Sequence, residues 1–422
     1  MDSVERFLMS QTTSPSPGRS FWSSGHLPTL LTAFLYFDLT FAVWVLNAAM
    51  APFISAEFHL SDTQKGLMLS VPVLAGAFLR LPLGIASQII GRKKAAAINL
   101  VLCALGLMFG YFFVDTYGGV LIMGALLGVA GASFGVALSL GAGHYPPEHK
   151  GLAMGIAGAG NSGAVLAMIF APPLARAYGW KAVYGIGIIP MIVALVLLLI
   201  FAKEPADRER QPLSSYLKVL VDKDAWVLNL VYMVTFGGYI GLTSFLPTLF
   251  HDQYGIAKQS VGQYAAGIVI AASVLRVTGG WIADKVGGTR VLLALFVIII
   301  GATSAAAALP ANPLVMVAIL FVCFAAMGAG NGAVFQLVPL RFKGNTAVAS
   351  GLIGEIAGLA GGLLPAVMGM GKTYTGTYAP GFAMLVGLAV ASMVTLFMVA
   401  TRWAEHRAAQ AAANVAGGVA NA

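Results

Sequence analysis

The sequence predicts an all-α polytopic membrane protein: twelve transmembrane helices arranged as two six-helix, pseudo-symmetric halves. Three observations carry this. The 422 residues are 59% hydrophobic and only 9% charged, with a mean hydropathy of +0.86, whereas soluble globular chains carry roughly a quarter charged residues. Apolar runs of about 18 residues or more recur along the whole chain, each long enough to cross a bilayer as a helix. The second half of the chain also echoes the first at offsets of 196 and 200 residues.

In chain order, residues 1–29 read as a cytoplasmic tail. Their opening, "MDSVERFLMSQTTSPSPGRS", carries acids early and lacks the apolar core of a signal peptide. The first six spans are expected at 30–53, 66–90, 95–114, 119–142, 151–175 and 181–202, forming a bundle over 30–202. The linker 203–224, "KEPADRERQPLSSYLKVLVDKD", is the longest connection and is charged. The next six spans are expected at 225–250, 261–283, 291–309, 313–339, 347–371 and 378–401, a second bundle over 225–401. Residues 402–422 read as a cytoplasmic tail. No segment outside the spans is long enough to fold by itself. The 51 glycines suit close helix approach in a membrane. Cys103 and Cys323 fall in apolar runs and read as small buried hydrophobes. His144 and His149, in the loop "GHYPPEHKG", read as solvated.

Basic residues set the orientation. With both termini in the cytoplasm, 17 lysines and arginines fall on the inner side and 5 on the outer, leaving Arg80 and Arg276 inside spans. The positive-inside rule therefore puts the termini in the cytoplasm. The net charge of +8 is then explained by the anionic inner leaflet, and no nucleic-acid partner is expected.

The repeat is most specific around the two intramembrane arginines. "RLPLGIASQIIG" from Arg80 aligns with "RVTGGWIADKVG" from Arg276, pairing Gly84 with Gly280, Gln88 with Asp284 and Gly91 with Gly287. The four-residue steps lie along one helix face, so Gly84 and Gly280 are expected to admit a close neighbour beside each arginine. A second echo joins "GLAMGIAGAGNSG" from Gly151 to "GLIGEIAGLAGG" from Gly351. A lone arginine at mid-membrane costs at least ~2.5–3.5 kcal/mol, and two facing each other repel. An anion between them relieves both, and a guanidinium's planar fork of donors suits a planar oxyanion. The alternative is that each arginine pairs with a carboxylate. The candidates are Asp38 and Glu355, the two acids well inside spans, and both are expected nearer the cytoplasmic side than the arginines.

Two such halves have the layout of the major facilitator superfamily. Within it, "GLAMGIAGAGNSGAVLAMIFAPPL" resembles the nitrate signature of the nitrate/nitrite porter family, and "GLIGEIAGLAGGLLP" resembles its second copy. "GNGAVFQLVPLRF" and "YFDLTFAVWVL" are also similar to that family. The resemblance implies that Arg80 and Arg276 bind substrate, that Asn161 approaches the anion, and that Tyr232, Phe236 and Phe134 flank it. It marks Gly155, Gly158, Gly163, Gly354, Gly358 and Gly361 as signature glycines, for which tight packing is the expected role. Asp284, with Arg92 in the matching "GRKK" turn, is expected at a conformational gate. Gln88 departs from the superfamily's usual loop pattern, where an aspartate is common, and Glu355 stands where a small residue is expected in the signature.

Together these features imply a secondary transporter for nitrate, with nitrite as a further substrate, working by alternating access as a monomer in the cytoplasmic membrane. No enzyme activity, cofactor or metal is expected: "GKT" at 371–373 lacks the spacing of a phosphate-binding loop. Moving an anion against a negative interior costs about 2.3 kcal/mol per 100 mV, so uptake needs coupling. Proton symport, with Asp38 and Glu355 as proton carriers, is the preferred scheme. Nitrate/nitrite exchange is the rival, followed by a porter for formate or oxalate and a transporter-like nitrate sensor.

Overall fold

The computed structural model describes residues 20–206, 212–342 and 346–419, and every regular element among them is helical. Twelve helices are long and apolar enough to cross a membrane. They are α1 (Leu27–Glu57), α2 (Asp62–Ile90), α3 (Arg92–Phe112), α4 (Tyr117–Ala142), α5 (His149–Tyr178) and α6 (Trp180–Phe201), then α7 (Lys223–Tyr254), α8 (Val261–Val286), α9 (Gly288–Ala307), α10 (Pro313–Arg341), α11 (Val348–Thr375) and α12 (Ala379–Trp403). Short helices at Phe21–Ser24 and Leu213–Leu220 lie in the leading segment and the linker. The helix of α12 runs on to Val419, where the sequence suggested a tail.

The turns follow from local chemistry. Ser61 and Gln64 form a capping box that starts α2. Gly91 and Gly287, aligned by the repeat, end α2 and α8 with φ of 99° and 100°, a conformation that costs glycine little and other residues much. Each leads directly into the next helix. At the first of these turns the Glu204 carboxylate accepts the backbone N–H groups of Arg92 (2.7 Å) and Lys93 (2.8 Å), an anion at a helix N-terminus. Lys203 N–H donates to Thr29 Oγ1 at 2.8 Å. The start of the linker is thereby tied to the first half. The two loop histidines are not simply solvated. His144 Nε2 lies 3.0 Å from the Lys203 carbonyl, and the His149 ring stands edge-on to Phe21.

These contacts define one membrane face, here the terminal face, where α1 begins and α12 ends. Toward the opposite, far face the halves interlock. Lys65 of α2 bonds Asp252 of α7 at 2.6 Å, and Thr63 meets Thr373 of α11 at 2.9 Å. Ser70 Oγ accepts the Ala366 N–H. An added Cβ on Gly66 would sit 2.6 Å from the Pro365 carbonyl oxygen, and one on Gly262 of α8 would overlap the carbonyl oxygen of Met168 in α5. Toward the terminal face the same helices part. Added Cβ atoms on Gly84, Gly151, Gly155 and Gly351 would meet nothing within 4 Å. Gly84 thus departs from the close approach expected of it. It lies one turn past Arg80, on the side where α2 and α11 have separated. Gly280 does keep a neighbour, Gly332, at 3.7 Å.

Four helices lose regularity near mid-membrane. α1 breaks at Val45, α4 breaks at Ala132, α5 tightens to a 3₁₀ turn over Ala159–Ser162, and α7 loosens to a π turn over Met233–Gly237. Such distortions are tolerated in a membrane where protein or a cavity surrounds them, and π turns recur at functional sites.

Candidate functional site

Those irregular segments converge on the two arginines. Arg80 stands ten residues before Ile90 and Arg276 ten before Val286, so the repeat places them at equal distances from the terminal ends of their helices. Both lie past the midpoint of their helices on the terminal side, Arg80 because α2 begins at Asp62 rather than 66.

The two guanidiniums approach the same ring. Phe134, just past the break in α4, has its ring centroid 5.9 Å from Arg80 Cζ and 5.5 Å from Arg276 Cζ. Arg80 also lies against Trp44 (5.2 Å) and Phe236 (5.1 Å), and Arg276 against Phe335 (5.7 Å). Desolvated cation–π contacts of this kind contribute about 2 kcal/mol or more. Tyr232 stacks on Phe236 at 5.2 Å and 9°, and meets Phe335 edge-on at 5.3 Å. Phe134, Phe236 and Tyr232 are buried. The predicted aromatic residues are thus brought together. Trp44 and Phe335 were not singled out by sequence reasoning, although both lie inside family-like motifs, "YFDLTFAVWVL" and "GNGAVFQLVPLRF".

The arginines differ in how they are held. Arg80 Nε donates to the Gly131 carbonyl at 3.0 Å, and its Nη1 donates to the Gly354 carbonyl of α11 at 2.5 Å. Its Nη2 group keeps its donors. Arg276 Nη1 is buried with no hydrogen-bond partner. Neither arginine has a carboxylate within ion-pair distance among the described residues. Tyr232 Oη, Tyr239 Oη, Asn161 Oδ1 and Thr243 Oγ1 are likewise buried without partners. Asn161 projects from the 3₁₀ turn of α5, and Tyr239 stands near Asn161, Ser273 and Arg276. Buried polar groups are normally paired. A cluster of unpaired ones around two cations provides donors and acceptors for a small polar ligand.

The acids fall in different places. Asp38 of α1 is buried and accepts the Ser162 hydroxyl at 2.6 Å. Glu355, half-buried on α11, follows the residue whose carbonyl holds Arg80, and it acts electrostatically on that arginine. It therefore sits at the depth of the guanidinium, not closer to the terminal face as the sequence suggested.

Of the signature glycines, Gly163 packs on the Asp38 carbonyl, Gly361 on Gly237, and Gly358 on Ala77 and Arg80. Gly354 comes near Arg80, Gly158 reaches only Leu138, and Gly155 faces open space. The gate pair is not brought together. Arg92 Nη1 donates to the Ser139 carbonyl at 3.2 Å inside the first half. Asp284 is exposed and makes no hydrogen bond or ion pair among the described residues. The terminal face, where such residues would meet, is parted.

The family model described as the Major Facilitator Superfamily matches residues 32–365. The chain belongs to the major facilitator superfamily. Its relatives place it in the nitrate/nitrite porter branch. A "Nitrite extrusion protein" from Bacillus subtilis strain 168 is 30% identical over 360 residues, covering 84% of this chain and 89% of that one. A "Probable nitrate transporter NarT" from Staphylococcus carnosus strain TM300 is 32% identical over 366 residues, covering 85% and 92%. Among solved structures, a bacterial homologue of the human lysosomal transporter Spinster, in an inward-facing and occupied conformation, superposes with a TM-score of 0.69. At 18% identity over 88% of this chain and 96% of that one, it supports the superfamily fold alone. This major facilitator is therefore a multi-pass membrane transporter and not an enzyme.

Proposed function

We propose that this transporter carries nitrate, with nitrite as a second substrate, by alternating access across the cytoplasmic membrane. The observation that carries the reading is the pair of guanidiniums, one from each half, lying against the single ring of Phe134 with no carboxylate paired to either among the described residues. Nitrate is flat, monovalent and never neutral at physiological pH. It needs cationic donors in a plane and apolar walls above and below. Arg80 and Arg276 would supply the charge, Asn161 and Tyr232 further hydrogen bonds, and Phe134 and Phe236 the walls. The relatives named for nitrate and nitrite support the same substrates.

The 17-to-5 distribution of basic residues supports a cytoplasmic terminal face. On that reading the parted terminal side is the cytoplasmic one, and the conformation is inward-open. Net uptake against the membrane potential would be driven by protons, with Asp38 and Glu355 as the candidate carriers. Exchange of nitrate for nitrite is the second reading, favoured by the two unneutralised arginines.

Uptake by the full chain in liposomes tests this. Nitrate and nitrite are expected to enter and to compete with each other, with formate and oxalate at least tenfold slower. Faster uptake of formate or oxalate than of nitrate would overturn the substrate assignment.

A further inference from the structure

We infer that Glu355 is the internal counter-ion of Arg80, and that it carries the one proton that accompanies each anion. The inference rests on the nitrate reading above and narrows its two candidate carboxylates to one.

The two acids are not equivalent in the fold. Asp38 has a protein partner, the Ser162 hydroxyl at 2.6 Å. Its backbone is also the floor against which Gly160 and Gly163 of α5 pack. It braces α1 against α5 within one half. Glu355 has no hydrogen bond or ion pair among the described residues, and it follows Gly354, whose carbonyl already takes the Arg80 Nη1. Its field acts on Arg80 from the opposite half of the molecule, together with those of Tyr232 and Arg276. Among the elements packed on α11, Arg80 of α2 is the charged group that acts on Glu355. Tyr232 of α7 faces the arginines instead. Arg341 of α10 and Arg402 of α12 sit at the terminal ends of their helices, and Lys218 belongs to the short linker helix.

This placement makes the anion and the Glu355 carboxylate competitors for one guanidinium. When the anion is bound, Arg80 is neutralised by it, and Glu355, desolvated and without its counter-charge, takes up a proton. When the anion leaves, the proton leaves Glu355, and the carboxylate turns to Arg80. The loaded and unloaded sites then carry the same net charge. An unloaded carrier with bare arginines would resist closing around them, which is the property of an obligate exchanger. With Glu355 in place of the anion the unloaded carrier can return, so net uptake becomes possible. Since each anion travels with one proton on one carboxylate, transport is electroneutral. It is driven by the pH gradient and indifferent to the membrane potential.

The test uses the full chain in liposomes loaded with a pH indicator, with potassium and valinomycin to set the potential. The wild type is expected to take up one proton per nitrate and to accumulate nitrate to the same level at zero and at negative interior potential. Glu355→Gln is expected to lose proton-driven net uptake at least tenfold while nitrate/nitrate counterflow stays within tenfold of the wild type. Asp38→Asn is expected to keep the ratio of one proton per nitrate. Accumulation that depends on potential, a ratio of two protons, or net uptake that survives in Glu355→Gln would each overturn the proposal while leaving nitrate transport standing. If Glu355→Gln fails to fold, the wild-type proton count and Asp38→Asn together decide the matter: one proton per nitrate kept in Asp38→Asn supports Glu355, and a ratio lost there overturns it. A wild type that moves no nitrate would remove the transport reading, and the proposal with it.

Discussion

Arg80 and Arg276 share spacing, helix register and the Phe134 ring, yet they are not duplicates. Arg80 is anchored by two carbonyls, one in each half, and lies against three rings. Arg276 keeps a buried donor without a partner. On the proposed reading Arg80 would supply a charge held by the protein and Arg276 a donor left free for the anion. Phe134 holds them apart and walls the space between. Truncating it in Phe134→Ala removes a surface shared by both cations and admits water, which weakens every charge interaction in the site. We expect the KM for nitrate uptake to rise about fivefold to thirtyfold, by loss of ~1–2 kcal/mol of cation–π and packing energy, with the protein still folded by thermal melting. An unchanged KM would mean that the ring only fills space. The arginines and Phe134 could be singled out from sequence because charge in an apolar run is conspicuous and the family resemblance pointed to the aromatic position within one residue. Trp44, Phe335 and Tyr239 could not. A large aromatic residue in a membrane helix is ordinary; Trp44 and Tyr239 lie beside the breaks at Val45 and over Met233–Gly237, and Phe335 lies on the unbroken α10.

At the scale of the helices, the glycines of the helices that line the meeting of the halves sort by depth. Gly163, Gly262 and Gly361 pack on backbone, whereas Gly84, Gly155 and Gly351 face open space. In an alternating-access carrier the second group would close when the first opens. Gly163→Val would drive a Cβ into the Asp38 carbonyl oxygen, and overpacking of that kind costs about 1–3 kcal/mol. The melting temperature should fall and folded yield with it. Gly155→Val should leave the melting temperature unchanged but slow nitrate uptake at least tenfold, because the obstruction arises only in the state closed at the terminal face. A variant that transports normally would show that α5 does not close there. The twelve spans were legible because apolar length and flanking charge determine them. Their irregular turns were not, since 3₁₀ and π segments such as Ala159–Ser162 reflect tertiary packing and carry no periodic signal. The depth of Glu355 was misjudged for a related reason: counting residues along a helix ignores the reach of the arginine side chain.

Across the whole molecule, the halves meet as a clamp latched at the far face by Lys65–Asp252 and Thr63–Thr373, and parted at the terminal face. The internal repeat revealed this two-fold plan before any helix was positioned. It could not show which side was closed, because both states use the same sequence. The plan places one arginine in each half, so on the proposed reading an anion held between them would couple substrate to the motion of the halves. The most direct test is equilibrium binding of nitrate to the purified full chain, wild type against Arg276→Lys, by titration calorimetry. Lysine keeps the charge and loses the planar fork. With the anion between the arginines, the variant should remain folded and bind nitrate with a Kd at least tenfold weaker. An unchanged Kd would contradict the claim that the anion sits between the two arginines.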